Sequence, residues 1–311
     1  MIFDDIASIE SLSIEEREKK IGTIRKAPCS RRLHRSNMML NPLNLHHLNR
    51  LDDLEADWVT LNLEDAIAPS RKKEALINIA LFLSHLKSSP SCIVVRVNPL
   101  DQGGKEEIKF LNDFIVDAIR IPKIRSRDEI ETALGLIRQD RQLHISLETK
   151  EAFRDLEHWG RIDQRLTTAN LGILDLLADL GLPHRLVTRG PGNPTAEAIL
   201  SRFLLGARTA GLLPVSFMYQ DYRDLEGFRR WCEREREMGF TAKACMGPAQ
   251  VEIANAIFSP SSEELRRARE IREAFEEASA LGIHGLMHDK YGFIDEPIYR
   301  DALNLLDSSL H

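Results

Sequence analysis

Residues 143–181 read LHISLETKEAFRDLEHWGRIDQRLTTANLGILDLLADLG. Two short apolar runs, Leu143 to Leu147 and Thr167 to Leu171, are each followed by a carboxylate, Glu148 and Asp175, at the approach to a helical stretch. A strand-length apolar run followed by an amphipathic segment, repeated, is the pattern of a parallel sheet wrapped by helices. The same unit recurs in both directions from this stretch. Further strands are predicted at Ser36 to Leu40, Trp58 to Leu63, Cys92 to Val97, Ala118 to Ile121, Pro214 to Met218 and Ala242 to Cys245, which makes eight. Helical stretches between them include Arg71 to His85, Arg127 to Gln139, Glu151 to Trp159, Thr195 to Ala210 and Leu225 to Met238. Most strand runs lack polar alternation, as parallel strands covered by helices should. Eight such units favour closure into a (β/α)8 TIM barrel, with an open, doubly wound sheet of fewer strands as the alternative.

The chain of 311 residues has room for one barrel of about 250 residues plus appendages. Residues 1–34 read as an N-terminal extension with a charged helix from Ile14 to Ile24, residues 35–258 as the barrel, and residues 259–311 as a helical and hairpin appendage. In the last segment, Ser261 followed by Glu264 spells a capping box, and the helix it opens is stopped by Gly282. A net charge of −6 gives no reason to expect nucleic acid or a membrane surface as partner. No basic segment leads into an apolar one at the start, and no run approaches about 18 apolar residues, so a cytoplasmic protein is expected. Cys29, Cys92, Cys232 and Cys245 stand far apart, without metal-site spacing, and read as reduced thiols.

In a barrel, the C-terminal strand ends and the loops after them hold the active site. Strand two ends in Glu64 and Asp65, strand three in Arg96 and Asn98, strand four in Lys123 and strand five in Glu148, and Asp175 follows strand six. Later strands contribute Tyr219, Asp221 and the turn Met246-Gly247-Pro248. A hard divalent cation such as Mg2+ is held by one or two carboxylates and keeps positions for water and substrate oxygens, a task that suits Glu148 and Asp175. The plainer reading makes each a helix cap or first-turn carboxylate. Arg96 reads equally as a substrate contact or as a core arginine paired with Glu64 or Asp65, and Lys123 as a Schiff-base candidate.

RSNMMLNP, ADWVTLNLEDAIAPSRKKEA, VVRVN, DAIRIPKI, LET, LGILDLLADLG, GARTAGL and GFTAKACMGPAQVEIANAIFSPSSEELRRAREI, followed by YGFIDEPIYRDAL, resemble in order the landmarks of the citrate lyase β-subunit-like enzymes. These belong to the HpcH/HpaI aldolase superfamily, and the resemblance runs from about Arg35 to Leu306. It implies a barrel of the phosphoenolpyruvate/pyruvate type, Mg2+-dependent cleavage or formation of carbon–carbon bonds, a small organic acid as substrate, and assembly as a homotrimer or homohexamer in which the C-terminal segment packs on a neighbouring subunit. By position, Glu148 and Asp175 resemble the metal ligands and Arg96 the arginine that stabilises an enolate or carbonyl oxygen. Glu64 and Asp65 resemble the acidic pair that orients it. Arg35 resembles a first-strand arginine near the cofactor phosphates of coenzyme A-using members, and for Lys123 the resemblance favours an electrostatic role, on the cofactor side, over a Schiff base.

Four positions depart from the family pattern. Gly247 stands where thioester-using relatives carry a histidine before the proline, and Leu43 follows Pro42 where they carry glycine. Asn62 replaces an aspartate that opens the acidic motif, and Leu171 a phenylalanine before Gly172. The first two speak against a standard citryl- or malyl-thioester and for a free 2-oxo acid or an unusual thioester. The leading expectation is a lyase or aldolase acting on a β-hydroxy acid or its thioester. A thioester hydrolase on the same metal, and a barrel that binds a small acid without turnover, are the alternatives.

Overall fold

The computed structural model describes residues 1–23, 26–29, 33–159, 162–188 and 190–309, with residues 308 and 309 described by backbone alone. Eight strands form one parallel sheet: β1 (Ser36–Leu40), β2 (Trp58–Asn62), β3 (Cys92–Arg96), β4 (Ala118–Ile121), β5 (Gln142–Leu147), β6 (Leu166–Leu171), β7 (Leu213–Val215) and β8 (Lys243–Cys245). Their order is β7-β6-β5-β4-β3-β2-β1-β8. A parallel bridge between Ser216 and Lys243 joins the two ends, with Ser216 N–H donating to Ala242 O (2.9 Å) and Ala244 N–H to Ser216 O (3.0 Å). The sheet is therefore a nearly closed barrel. Closure removes both free edges, which an open sheet would leave as unpaired N–H and C=O groups. β7 is shorter than predicted, and Pro214 within it has no N–H to give the ladder.

The strands alternate after all, with the polar residues turned inward. Val59, Leu61, Ile93, Val95, Ile119, Ile121, Leu143, Ile145, Ala169 and Leu171 belong to the main core beneath the helices. The residues between them face the barrel axis: Trp58, Cys92, Val94 and Ala118 form a small separate apolar cluster, and Thr60, Arg120, His144, Thr168 and Asn170 are buried polar groups. The sequence hides this because Trp58, Cys92, Val94 and Ala118 are apolar on the inward parity and blur the period of two.

Six further short helices, Ile6–Glu10, Leu45–Leu48, Lys105–Leu111, Ile173–Asp179, Arg185–Thr188 and Pro248–Phe258, lie outside the predicted helical stretches. The N-terminal helix spans Ile14–Lys19, and Ile24 lies outside the described residues. The chain beyond it is clipped to the barrel floor. Lys26 Nζ lies 2.8 Å from Asp117, and Asp117 also accepts from Cys29 N–H (2.8 Å) and Ile93 N–H (2.7 Å). Cys29 and Cys92 are joined by a disulfide, which corrects the reading of four reduced thiols; Cys232 and Cys245 are free and buried. A separation of 63 residues gave no sign of this pairing, which follows from the fold of the N-terminal segment under β3. At the other end, the helix Ser262–Ala280, the hairpin of β9 (Gly285–His288) and β10 (Gly292–Asp295), and the helix Glu296–Ser309 enclose a core of their own around Ile271, Phe275, Ile294 and Leu306. No described helix is long and apolar enough to cross a membrane.

The disulfide makes a direct prediction. Denatured without reductant, the protein should titrate two thiols rather than four, and reduction should lower its folding stability by about 4 kcal/mol on the loop-entropy account. Four titratable thiols in the unreduced chain would contradict the pairing.

Candidate active site

Counting by twos from the inward residues of β2, β3, β5 and β6 leads to Glu64, Arg96, Glu148 and Gly172 at the C-terminal mouth. Arg96 lies at the centre of this group and is 8% exposed. Its Nε donates to Asn62 Oδ1 at 2.8 Å, while Nη2 lies 3.1 Å from Glu64 and 3.9 Å from Asp65, and Nη1 lies 3.7 Å from Glu148. One planar guanidinium thus spans the acidic pair and the carboxylate of β5, a geometry that a lysine cannot reproduce. Lys123 sits just past β4 with φ of 51°, a left-handed conformation, and brings Nζ to 2.6 Å from Glu64 and 3.1 Å from Asp65. Partial burial opposes its charge, but these two hydrogen bonds outweigh it and hold the ammonium well above its ordinary range. A Schiff-base lysine needs the opposite shift, so Lys123 acts as a fixed positive charge.

Glu148 is 3% exposed, and burial raises its carboxyl to about 7, although Arg96 pulls the other way. Its Oε2 is buried without a protein partner. The side chain lies over Gly172: a Cβ there would stand 3.0 Å from Glu148 Cδ and Oε1 and closer still to Cγ. Gly172 is needed for that close approach. Asp175, in the first turn of Ile173–Asp179, is raised by partial burial and by Asp65. Glu148 is not a helix cap, since Thr149 fills that position and accepts from Ala152 N–H. The described residues hold no ready-made cluster of three or more His, Cys, Asp or Glu ligands. Two mutually repelling, desolvated carboxylates, one with a free buried oxygen, fit a hard divalent cation that keeps several positions for water and substrate oxygens.

Two supporting residues were not singled out in the sequence. Lys72 Nζ donates to Leu63 O (2.7 Å), Glu64 O (2.6 Å) and Asn98 Oδ1 (2.7 Å), tying the ends of β2 and β3 together. Glu107 accepts from Asn98 N–H (2.7 Å) and Nδ2 (2.5 Å). Both start helices, where a charged residue reads as ordinary solvated surface. Arg35 is not brought together with the other candidates. It precedes β1 and so lies at the opposite, N-terminal end of the barrel, where buried Asp57 takes two of its guanidinium nitrogens (2.9 Å each) and Ser259 a third (2.8 Å). The Tyr219 hydroxyl donates to Asp224 at 2.7 Å. Gly247 caps Pro248–Phe258 with φ of −169°, extended backbone open to any residue.

A closed barrel with its buried charges gathered at the C-terminal strand ends is an enzyme architecture. The family model for HpcH/HpaI aldolase/citrate lyase matches residues 35–248, and the chain belongs to this family of carbon–carbon lyases. It is 34% identical over 236 residues to the (3S)-malyl-CoA thioesterase of Cereibacter sphaeroides, covering 76% of this chain and 80% of the relative. To the L-malyl-CoA/beta-methylmalyl-CoA lyase of Rhodobacter capsulatus it is 28% identical over 256 residues, covering 73% and 79%. Its fold matches a citrate lyase from Burkholderia xenovorans with a TM-score of 0.73 at 18% identity, over 88% of this chain and 90% of that one. It also matches the CitE protein of Mycobacterium tuberculosis, solved in complex with magnesium, acetoacetate and coenzyme A, with a TM-score of 0.69 at 21% identity, over 90% and 99%.

Gly172→Ala should push Glu148 out of its place and destabilise the protein by about 1–3 kcal/mol, as overpacking does. Denaturant melts check this, and unchanged stability would mean that Glu148 is free to move aside.

Proposed function

We propose that this chain is a Mg2+-dependent carbon–carbon lyase that cleaves a β-hydroxyacyl coenzyme A thioester into an acyl thioester and a 2-oxo acid. The observation that carries the reading is the buried, unpartnered Oε2 of Glu148 near Asp175, with the Arg96 guanidinium within 3.7 Å of the same carboxylate. Glu148 and Asp175 are the proposed metal ligands. Both named relatives act on coenzyme A thioesters, which favours a thioester over the free acid despite Gly247 and Leu43.

Bound there, Mg2+ would supply Lewis acidity toward the substrate's carboxylate and hydroxyl oxygens. When the carbon–carbon bond breaks, its electron pair passes to the acyl fragment as an enolate, and the hydroxyl carbon becomes a carbonyl as its proton leaves. Arg96 is placed to donate to an oxygen on which that charge develops, and Asn62 and Glu64 hold its plane still so that no reorganisation is needed at that moment. The proton passes to the Glu64–Asp65 pair, whose negative charge Lys123 offsets. Hydrolysis of the thioester is the second reading, favoured by the identity to the malyl-CoA thioesterase. The exposed Leu281 (80%), Met287 (76%) and Phe293 (58%) of the C-terminal appendage support a homo-oligomer in which this surface is covered.

Product analysis decides between the reactions: a 2-oxo or aldehyde acid plus an acyl thioester supports the lyase, and an intact hydroxy acid plus free coenzyme A supports the hydrolase. Glu148→Ala and Asp175→Ala should each abolish Mg2+ binding, read by calorimetry, in a protein that remains folded; retained affinity in both would remove the site. Arg96→Lys should lower kcat about 100-fold while leaving Mg2+ affinity nearly unchanged. Because a raised carboxyl holds its proton up to about pH 7, Mg2+ affinity should fall about tenfold per pH unit below that point and level off above it. A flat profile between pH 5 and about 8 would contradict a ligand role for Glu148.

A further inference from the structure

Below the catalytic mouth, the middle of the barrel holds a polar layer that the reaction does not use. Thr60 Oγ1 donates to Asn37 Oδ1 at 2.7 Å and accepts from Arg120 Nη2 at 2.9 Å. His144, level with Arg120 on the neighbouring strand, has its ring centroid 5.0 Å from that of Trp58, and His34 stacks on Trp58 at 4.5 Å. Five buried nitrogens here find no partner in the protein: Arg120 Nε, Asn37 Nδ2, Trp58 Nε1, His144 Nδ1 and His34 Nε2. Arg120, Asn37, Trp58 and His144 are each at most 4% exposed.

The chemistry of these atoms is one-sided. The guanidinium, amide and indole nitrogens are obligate donors, and each neutral imidazole can place its proton either way. Arg120 forms no ion pair among the described residues, although an unpaired buried charge is strongly unfavourable. The carboxylate whose charge favours its ionised form is Glu148, which Arg96 already engages. A water molecule would accept two of these bonds but must also place two protons of its own, and it brings no charge to set against the guanidinium. We propose that this layer is a binding site for a small monovalent anion of chloride size, accepting from Arg120 Nε and from the amide and indole N–H groups around it.

Burial keeps His34 and His144 neutral, His34 down to about 3, so Arg120 is the one cation the anion must balance among the described residues of the layer. A cavity adjoins the layer at Trp58 on the N-terminal face. Trp58 and Gln142, which borders His144 at 3.2 Å, line this cavity of about 340 Å³ between the strand starts and the Cys29–Cys92 disulfide. Because Arg120 is the register partner of Arg96 on the adjacent strand, the anion would lie beside that arginine and offset the repulsion between the two guanidinium groups.

Crystals of the full chain grown in sodium bromide test this directly. An anomalous peak in contact with Arg120 Nε is expected; an ordered water there, or no peak, overturns the proposal. Thermal melts give a second measure. At equal ionic strength, chloride or bromide in place of gluconate should raise Tm by about 2–4 °C, and Arg120→Met should lose that response. An equal response in the variant would overturn the assignment to Arg120. Should Arg120→Met fail to fold, the bromide experiment on the unaltered chain still decides.

Discussion

The mouth of this barrel depends on the Arg96 guanidinium. It lies between carboxylates that would otherwise repel one another across a few ångströms, Glu64 and Asp65 on one side and Glu148 on the other. Without it, Glu64 and Glu148, both nearly fully buried, would have to take up protons or draw in water, because buried charge persists only when paired. Lys123 completes the balance at the acidic pair. The β5 side is left with surplus negative charge at Glu148 and Asp175, and that asymmetry is what makes it suited to a cation.

The scaffold keeps this arrangement rigid through backbone parity. Inward residues recur every two positions along parallel strands in fixed register, so a side chain just past one strand end meets those past its neighbours. Lys72 and Glu107 then fix the two loops that carry Glu64 and Asn98. Gly172 makes room for Glu148 by having no side chain. Each contact is local, and together they hold the donors before any substrate arrives, which is where electrostatic catalysis gains most.

Much of this was legible in the sequence. The eight apolar runs fell at the eight strands, and the charged residues after them converge because strand ends in a barrel share one face. What stayed hidden depended on side-chain direction or on distant segments. The inward polar layer was masked by Trp58, Cys92, Val94 and Ala118, which share its parity. That Arg35 stands apart from the mouth follows from its place before β1, at the opposite end from residues after it, a distinction that resemblance of short motifs does not make. The Cys29–Cys92 pairing needed the path of the N-terminal segment, and Lys72 needed its reach back over β2.

The central claim is that the carboxylates of Glu148 and Asp175 hold one divalent cation beside Arg96. Mn2+ scatters anomalously and is close to Mg2+ in its preference for oxygen ligands. A crystal grown with Mn2+ and a 2-oxo acid should show one anomalous peak bound by an oxygen from each of these two carboxylates, with the acid completing the shell beside the Arg96 guanidinium. A peak elsewhere on the molecule, or a mouth occupied by the acid with no metal, would contradict the account.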